Sequence, residues 1–283
     1  MTEEDELPSS SSATLLTNVS HGLYKAWYSV HEPICRTIGR VNQPTGAVCA
    51  MVMLEGVSMA RCVRYAQLTY SNITTLPQVN SFTNHPSHVR PVLFFHGAVG
   101  TSSYLGDLVV AVSHHAPVFL LDLGGGGATE AKRQRVLEEI QRIQSLWSGH
   151  FMLASPPPRV DFVAHSMGAG VAFSCAFDPA TSIVDANTGA VSQKDPSRPL
   201  QPHPAVGKLV LIANPSTSKE LTQLGSIGKV RDTFNILAEF DALMGSKMPP
   251  AVAPEQCRVL SAGHIGIVFD ASLPGVVQSC LQH

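Results

Sequence analysis

Ser166 is the side chain around which chemistry can be built. It stands in Val160-Asp161-Phe162-Val163-Ala164-His165-Ser166-Met167-Gly168-Ala169-Gly170. The apolar run from Val160 to Ala164 predicts a short buried strand. A five-residue corner, Ala164 to Gly168, follows it. Ala169 to Phe177 is small and apolar, as suits a helix packed tightly under a sheet. A strand, a sharp turn with serine at its tip and a helix make a nucleophile elbow, normally written G-x-S-x-G. The turn is strained, so the residues flanking the serine must be small. Here Ala164 takes the first glycine position and Gly168 the second. The geometry lifts the hydroxyl clear of the backbone. It also aims the free N–H groups of the helix start at any anion forming there. A serine at a helix start also serves as an N-cap, so the pentapeptide alone leaves both roles open.

A nucleophilic serine needs a base, and the base needs an orienting carboxylate. On a strand–turn–helix scaffold of this kind the chain order is serine, acid, histidine. The histidines after Ser166 are His203, His264 and His283. His203 lies in a polar stretch and His283 is the last residue. His264 alone follows an apolar run, Arg258 to Ser261, in a glycine-bearing turn. The acid should follow the preceding strand, Thr233 to Ala238. Asp241, just beyond it, is the preferred candidate. Glu239, at its end, is the alternative. The bland readings are a helix cap or solvated charge for either acid, and a structural turn residue for His264.

The surrounding pattern supplies the elements that must hold these groups. Val92-Leu93-Phe94-Phe95 predicts a buried strand, followed by His96-Gly97-Ala98-Val99-Gly100. Helix signals run from Ser102 to Ser113. Val118 to Leu121 predicts a strand, and Thr129 caps a helix over Glu130 to Trp147. Further strands are expected over Lys208–Ala213, Thr233–Ala238 and Arg258–Ser261, then a terminal helix to about Leu281. A short helical link is expected over 215–230. Strands alternating with helices mean a mostly parallel sheet with helices on both faces. Residues 1–45 read as an N-terminal extension: an acidic, Ser-rich start, then an amphipathic helix over Leu15 to Val30. Residues 46–283 read as one domain, with an uncertain strand near 61–70 and a polar insertion over 179–206.

Composition excludes other classes. With 44% apolar and 14% charged residues the chain can bury a sizeable core. A net charge of −2 gives no nucleic-acid footprint. The six cysteines (35, 49, 62, 175, 257, 280) are scattered and include no CxxC pair, which favours free thiols over a disulfide framework. His85 and His88 share a loop without a cysteine or carboxylate beside them, a poor metal set. The acidic N-terminus resembles no targeting peptide, and no apolar run is long enough to span a bilayer. A cytoplasmic location follows by default, while the amphipathic helix leaves peripheral membrane contact open.

The glycine run after Val118-Phe119-Leu120-Leu121-Asp122-Leu123 (Gly124 to Gly127) has a second reading. A strand ending in D-x-G-x-G resembles the cofactor loop of S-adenosylmethionine methyltransferases. That reading asks for an acidic residue ending the next strand. The next strand ends in His165-Ser166 instead.

From about Arg90 onward the chain resembles the α/β-hydrolase superfamily, and within it the small lidless bacterial lipases of the Bacillus lipase A type. Val92 to Ser102 is similar to that family's oxyanion strand and loop, and Val160 to Gly168 to its elbow, including the alanine. Ala238 to Met244 matches its acid turn, and Gly263 to Val268 its histidine turn. The resemblance implies an α/β-hydrolase fold without a large cap domain. It implies a lipase- or esterase-like enzyme acting on a small-molecule or lipid ester with no cofactor. Ser166 would be nucleophile, Asp241 orienting acid and His264 base, with the N–H groups of Ala98 and Met167 as the oxyanion hole. Residues 1–89 and the insertion have no counterpart there. A catalytically silent relative serving as an interaction module is the alternative.

Site access follows from spacing. The link from Ala213 to Thr233 is under twenty residues, too short for a cap domain. The insertion leaves the elbow helix at its end far from Ser166. An open site without strong interfacial activation is the expectation.

Overall fold

The computed structural model describes residues 79–98, 102–126, 129–152, 156–178, 201–214, 232–239, 241, 254–260 and 262–282. It also describes isolated earlier positions, Glu55 and Ser58 among them. The strand expected near 61–70, the link at 215–230 and most of the insertion lie outside the described residues. Of the expected N-terminal helix only Ala26 and Val30 are described, both helical.

Six strands form the sheet: β1 (Val92–Phe95), β2 (Val118–Leu121), β3 (Val160–His165), β6 (Val206–Ile212), β7 (Thr233–Ala238) and β8 (Cys257–Leu260). Their order is β2-β1-β3-β6-β7-β8. Every neighbouring pair is parallel. Two short strands, β4 (Phe177–Asp178) and β5 (Gln201–Pro202), pair antiparallel outside it. They close the base of the insertion, and His203 N–H donates to the Ala176 carbonyl at 2.8 Å. The insertion therefore ends before Gln201, and Val206 already pairs in the sheet, two residues ahead of the sequence expectation.

The helices are α1 (Gly106–Ser113, after a 3₁₀ turn over Ser102–Leu105), α2 (Glu130–Phe151), α3 (Met167–Ala176) and α4 (Leu273–Gln282). Period-two alternation divides the core between the faces. Val92 and Phe94 pack with Leu108 and Val109 of α1 and Val277 of α4. Leu93 and Phe95 pack with Ile140 and Ile143 of α2 and Val171 of α3. Each such side chain contributes roughly 1.5–3 kcal/mol by leaving water. The Thr129 hydroxyl caps α2 by accepting the Lys132 N–H at 3.3 Å. Met152, in the left-handed region at φ 50°, ends it.

This strand order, covered by helices on both faces, is the α/β-hydrolase fold. It also fixes where a site belongs. The chain passes from β1 outward to β2, then returns to add β3 on the other side of β1. The carboxyl ends of β1 and β3 therefore flank a topological switch point, where crevices open in parallel sheets.

Candidate active site

β3 delivers Ser166 to that switch point. Ser166 has φ 54°, a left-handed conformation that a non-glycine residue enters only under constraint. The helix α3 starts at the next residue, two residues before the apolar pattern announces it. Gly168 is what lets the turn close. A Cβ there would sit 2.5 Å from the His96 carbonyl oxygen and 2.9 Å from Phe95 Cβ. The loop after β1 also approaches closely, since a Cβ on Gly97 would be 3.2 Å from Ser166 Cβ.

The structure brings together the three side chains picked out by spacing. His264 Nε2 lies 2.7 Å from Ser166 Oγ, and His264 Nδ1 lies 2.7 Å from Asp241 Oδ2. A carboxylate accepts only, so Nδ1 carries the proton and Nε2 presents its lone pair to the serine hydroxyl. Asp241 and His264 are both buried. Glu239, the alternative acid, has its backbone N–H on the Leu260 carbonyl at 2.8 Å. His203 sits at the far end of α3.

The two backbone donors have different origins. Met167 opens α3, and the first N–H groups of a helix have no intrahelical acceptor. In the loop after β1 the Gly97 N–H is taken by the Tyr104 hydroxyl. Ala98, whose N–H is the next in that loop, is half-buried and the last residue described there before Ser102.

A buried hydrogen-bond chain links these parts, and composition gave no sign of it. The Tyr104 hydroxyl accepts the Gly97 N–H and donates to His165 Nδ1 at 2.8 Å. His165 Nε2–H then donates to the His264 carbonyl at 2.8 Å. Every direction is fixed, because a carbonyl only accepts. The chain thus ties the Gly97 loop, the serine turn and the backbone of His264 to one another. Burial, and next the nearby His264, push the pKa of His165 down to about 3. It is a neutral strut. His96 plays a similar part, its Nδ1–H on the Gly97 carbonyl at 2.6 Å and its Nε2 accepting the Leu123 N–H at 2.8 Å. Burial lowers its pKa too. The only sequence signal for His165 was a polar residue ending an apolar strand.

The glycine run has a structural role. Lys132 Nζ donates to the Gly125 carbonyl at 2.7 Å and reaches those of Gly124 and Gly126 at 3.4 and 3.3 Å. Gly124 and Gly126 have φ 71° and 84°, which glycine adopts freely. The loop thus turns its carbonyls onto a lysine, whereas a cofactor loop presents N–H groups to its ligand. It also follows β2, the outermost strand of the sheet among the described residues.

Among the described residues no helix is long and apolar enough to cross a membrane. No family model matches the chain, and no curated protein matches it in sequence. Among solved structures, the chain is similar to a hydrolase from Pseudomonas aeruginosa PA01, at 12% identity over 70% of this chain and 92% of that one, with a TM-score of 0.44. It is also similar to a lipase-esterase related protein from Clostridium acetobutylicum ATCC 824, at 12% identity over 69% and 94%, with a TM-score of 0.43. A third is a Bacillus megaterium epoxide hydrolase, at 11% identity over 69% and 94%, with a TM-score of 0.40. One fold hosts many reactions, so the reaction is read from the side chains of this chain.

Proposed function

We propose that this protein is a serine hydrolase that cleaves carboxylic esters, lipase- or esterase-like, through Ser166, Asp241 and His264. The observation that carries the reading is the pair of 2.7 Å hydrogen bonds joining Asp241, His264 and Ser166, with the serine on a left-handed turn at the switch point. His264 Nε2 takes the Ser166 proton as Oγ attacks the ester carbonyl carbon. The carbonyl π pair moves onto oxygen, which the N–H groups of Ala98 and Met167 receive. Loss of one such donor typically costs about 3–4 kcal/mol of transition-state stabilisation. Asp241 holds the imidazole tautomer and stabilises the imidazolium. The oxyanion collapses, the alcohol departs with the proton from Nε2, and an acyl-Ser166 remains. Water, deprotonated by the same nitrogen, then releases the acid and restores the serine.

The likeness of the elbow, acid turn and histidine turn to lidless bacterial lipases supports an accessible site and a small-molecule or lipid ester. The chemistry needs no metal or organic cofactor. The test is hydrolysis of p-nitrophenyl esters of increasing acyl length by the wild type and Ser166→Ala. The wild type should turn over at least the short esters, and the variant none. Equal rates for the two would overturn the assignment, and labelling of Ser166 by a fluorophosphonate separates an enzyme from a silent relative.

A further inference from the structure

Glu55 is a buried carboxylate that the reaction does not use. It is 4% exposed, yet it lies more than two hundred residues from its partners in sequence. Its Oε2 accepts the Ile265 N–H at 2.9 Å and the Gly266 N–H at 3.3 Å. These donors open the 3₁₀ turn Gly266–Phe269, whose first N–H groups have no partner of their own. Glu55 caps that turn from a distant part of the chain. The approach is close: a Cβ on Gly263 would sit 2.0 Å from Glu55 Oε1. Glycine at 263 lets the backbone close over the carboxylate. Oε1 has no hydrogen-bond partner, so the group is held by the turn alone among the described residues.

The geometry points to Glu55 as a positioning residue for His264: its carboxylate fixes the turn Gly263–Gly266 that carries the imidazole, so Nε2 stays on Ser166 while Nδ1 stays on Asp241. This rests on the ester-hydrolase reading and adds to it. The backbone of His264 is then held on both sides. His165 Nε2–H grips its carbonyl at 2.8 Å, and Glu55 grips the two N–H groups that follow. The imidazole itself hydrogen-bonds Asp241, so Glu55 acts through the backbone and is not a second orienting acid. Burial pushes the Glu55 pKa up; the Ile265 N–H, His264 and the Gly266 N–H draw it back, and Asp241 pushes it up again. A carboxyl and a carboxamide both present an oxygen to these donors. The contribution of Glu55 is therefore a placed acceptor more than a charge. It also brings one residue from outside the part of the chain that resembles the lipases, Glu55, to the histidine turn.

The experiment compares full-length wild type, Glu55→Gln, Glu55→Asp and Glu55→Leu. Folding is checked by far-UV circular dichroism, and each protein is assayed for kcat and KM on p-nitrophenyl butyrate and for its rate of fluorophosphonate labelling. Gln keeps the acceptor and should hold kcat within about threefold of wild type. Leu removes it and should lower kcat by about tenfold or more with KM within about twofold, since misplacing the base affects the transition state and not substrate binding. Labelling should slow in step with kcat, because both need His264 at the serine. Asp, one methylene shorter, should fall between, and it serves where Leu fails to fold. Wild-type kcat in Asp and Leu, or a Gln variant as impaired as Leu, would overturn the inference. A wild type that neither hydrolyses the ester nor takes the label would instead sink the ester-hydrolase reading.

Discussion

The chain from Gly97 through Tyr104 and His165 to His264 makes a prediction that can be counted in unsatisfied groups. Tyr104→Phe removes the hydroxyl and strands the Gly97 N–H and His165 Nδ1. His165→Leu removes the acceptor of the Tyr104 O–H and the donor to the His264 carbonyl. All four residues are buried. Each stranded group costs about 1–3 kcal/mol, so each single variant should lose about 2–6 kcal/mol. The double variant strands only the two ends, the Gly97 N–H and the His264 carbonyl. Its loss should match one single variant, not their sum. The coupling energy is therefore roughly the cost of the two middle groups, about 2–6 kcal/mol, whose lower end overlaps the range of about 0.5–3 kcal/mol found for residues in one network. The assay is urea unfolding followed by fluorescence for the wild type, both single variants and the double, with slopes compared to check two-state behaviour. Additive losses within about 0.5 kcal/mol would refute the network, since independent sites add to that tolerance.

The same structure leads to three further predictions. Asp241→Asn should lower kcat by about 10⁴-fold, as loss of the orienting acid does in serine triads, while Glu239→Gln should leave it nearly unchanged; the reverse ranking in ester hydrolysis would move the acid to Glu239. Below pH 6.5 the unfolded chain protonates His165 while the folded chain, with a pKa of about 3 there, refuses the proton. Stability should therefore be full above pH 6.5 and fall as pH drops toward 3, by up to about 4–5 kcal/mol from this group at 1.36 kcal/mol per unit; unfolding midpoints that fall as steeply in His165→Leu would contradict this. Gly168→Ala should abolish ester turnover and lower the unfolding midpoint, because its methyl would meet the His96 carbonyl oxygen at 2.5 Å; a variant with wild-type kcat would show that the turn can relax.

What could be read in the sequence was what repeats or alternates locally. β1, β2 and β7 fall where apolar runs place them, and the pattern of strands and helices gave the parallel sheet. Ser166, Asp241 and His264 could be picked out because each must follow a strand at the sheet's carboxyl edge, in a set order. Boundaries moved where a backbone feature intervened. α3 starts at Met167 because Ser166 itself makes the turn. The insertion ends earlier because β4 and β5 pair across its base. Glu55, Tyr104, His165 and Lys132 act over long sequence separations on backbone groups, and neither periodicity nor composition marks a side chain for such a contact. The glycine run reads two ways in sequence, because the lysine that collects its carbonyls, Lys132, stands a helix turn beyond it.

The central claim is that Ser166 forms an acyl-enzyme, and trapping that adduct tests it most directly. The wild type, mixed with p-nitrophenyl acetate and quenched at acid pH in the first turnover, should gain the mass of one acetyl group, placed by peptide mass spectrometry on Ser166. A burst of p-nitrophenol of one equivalent should accompany it where deacylation is the slower step, and Ser166→Ala should show neither adduct nor turnover. Ester turnover in Ser166→Ala at the wild-type rate, or an acetyl group carried on any other residue as turnover proceeds, would contradict it.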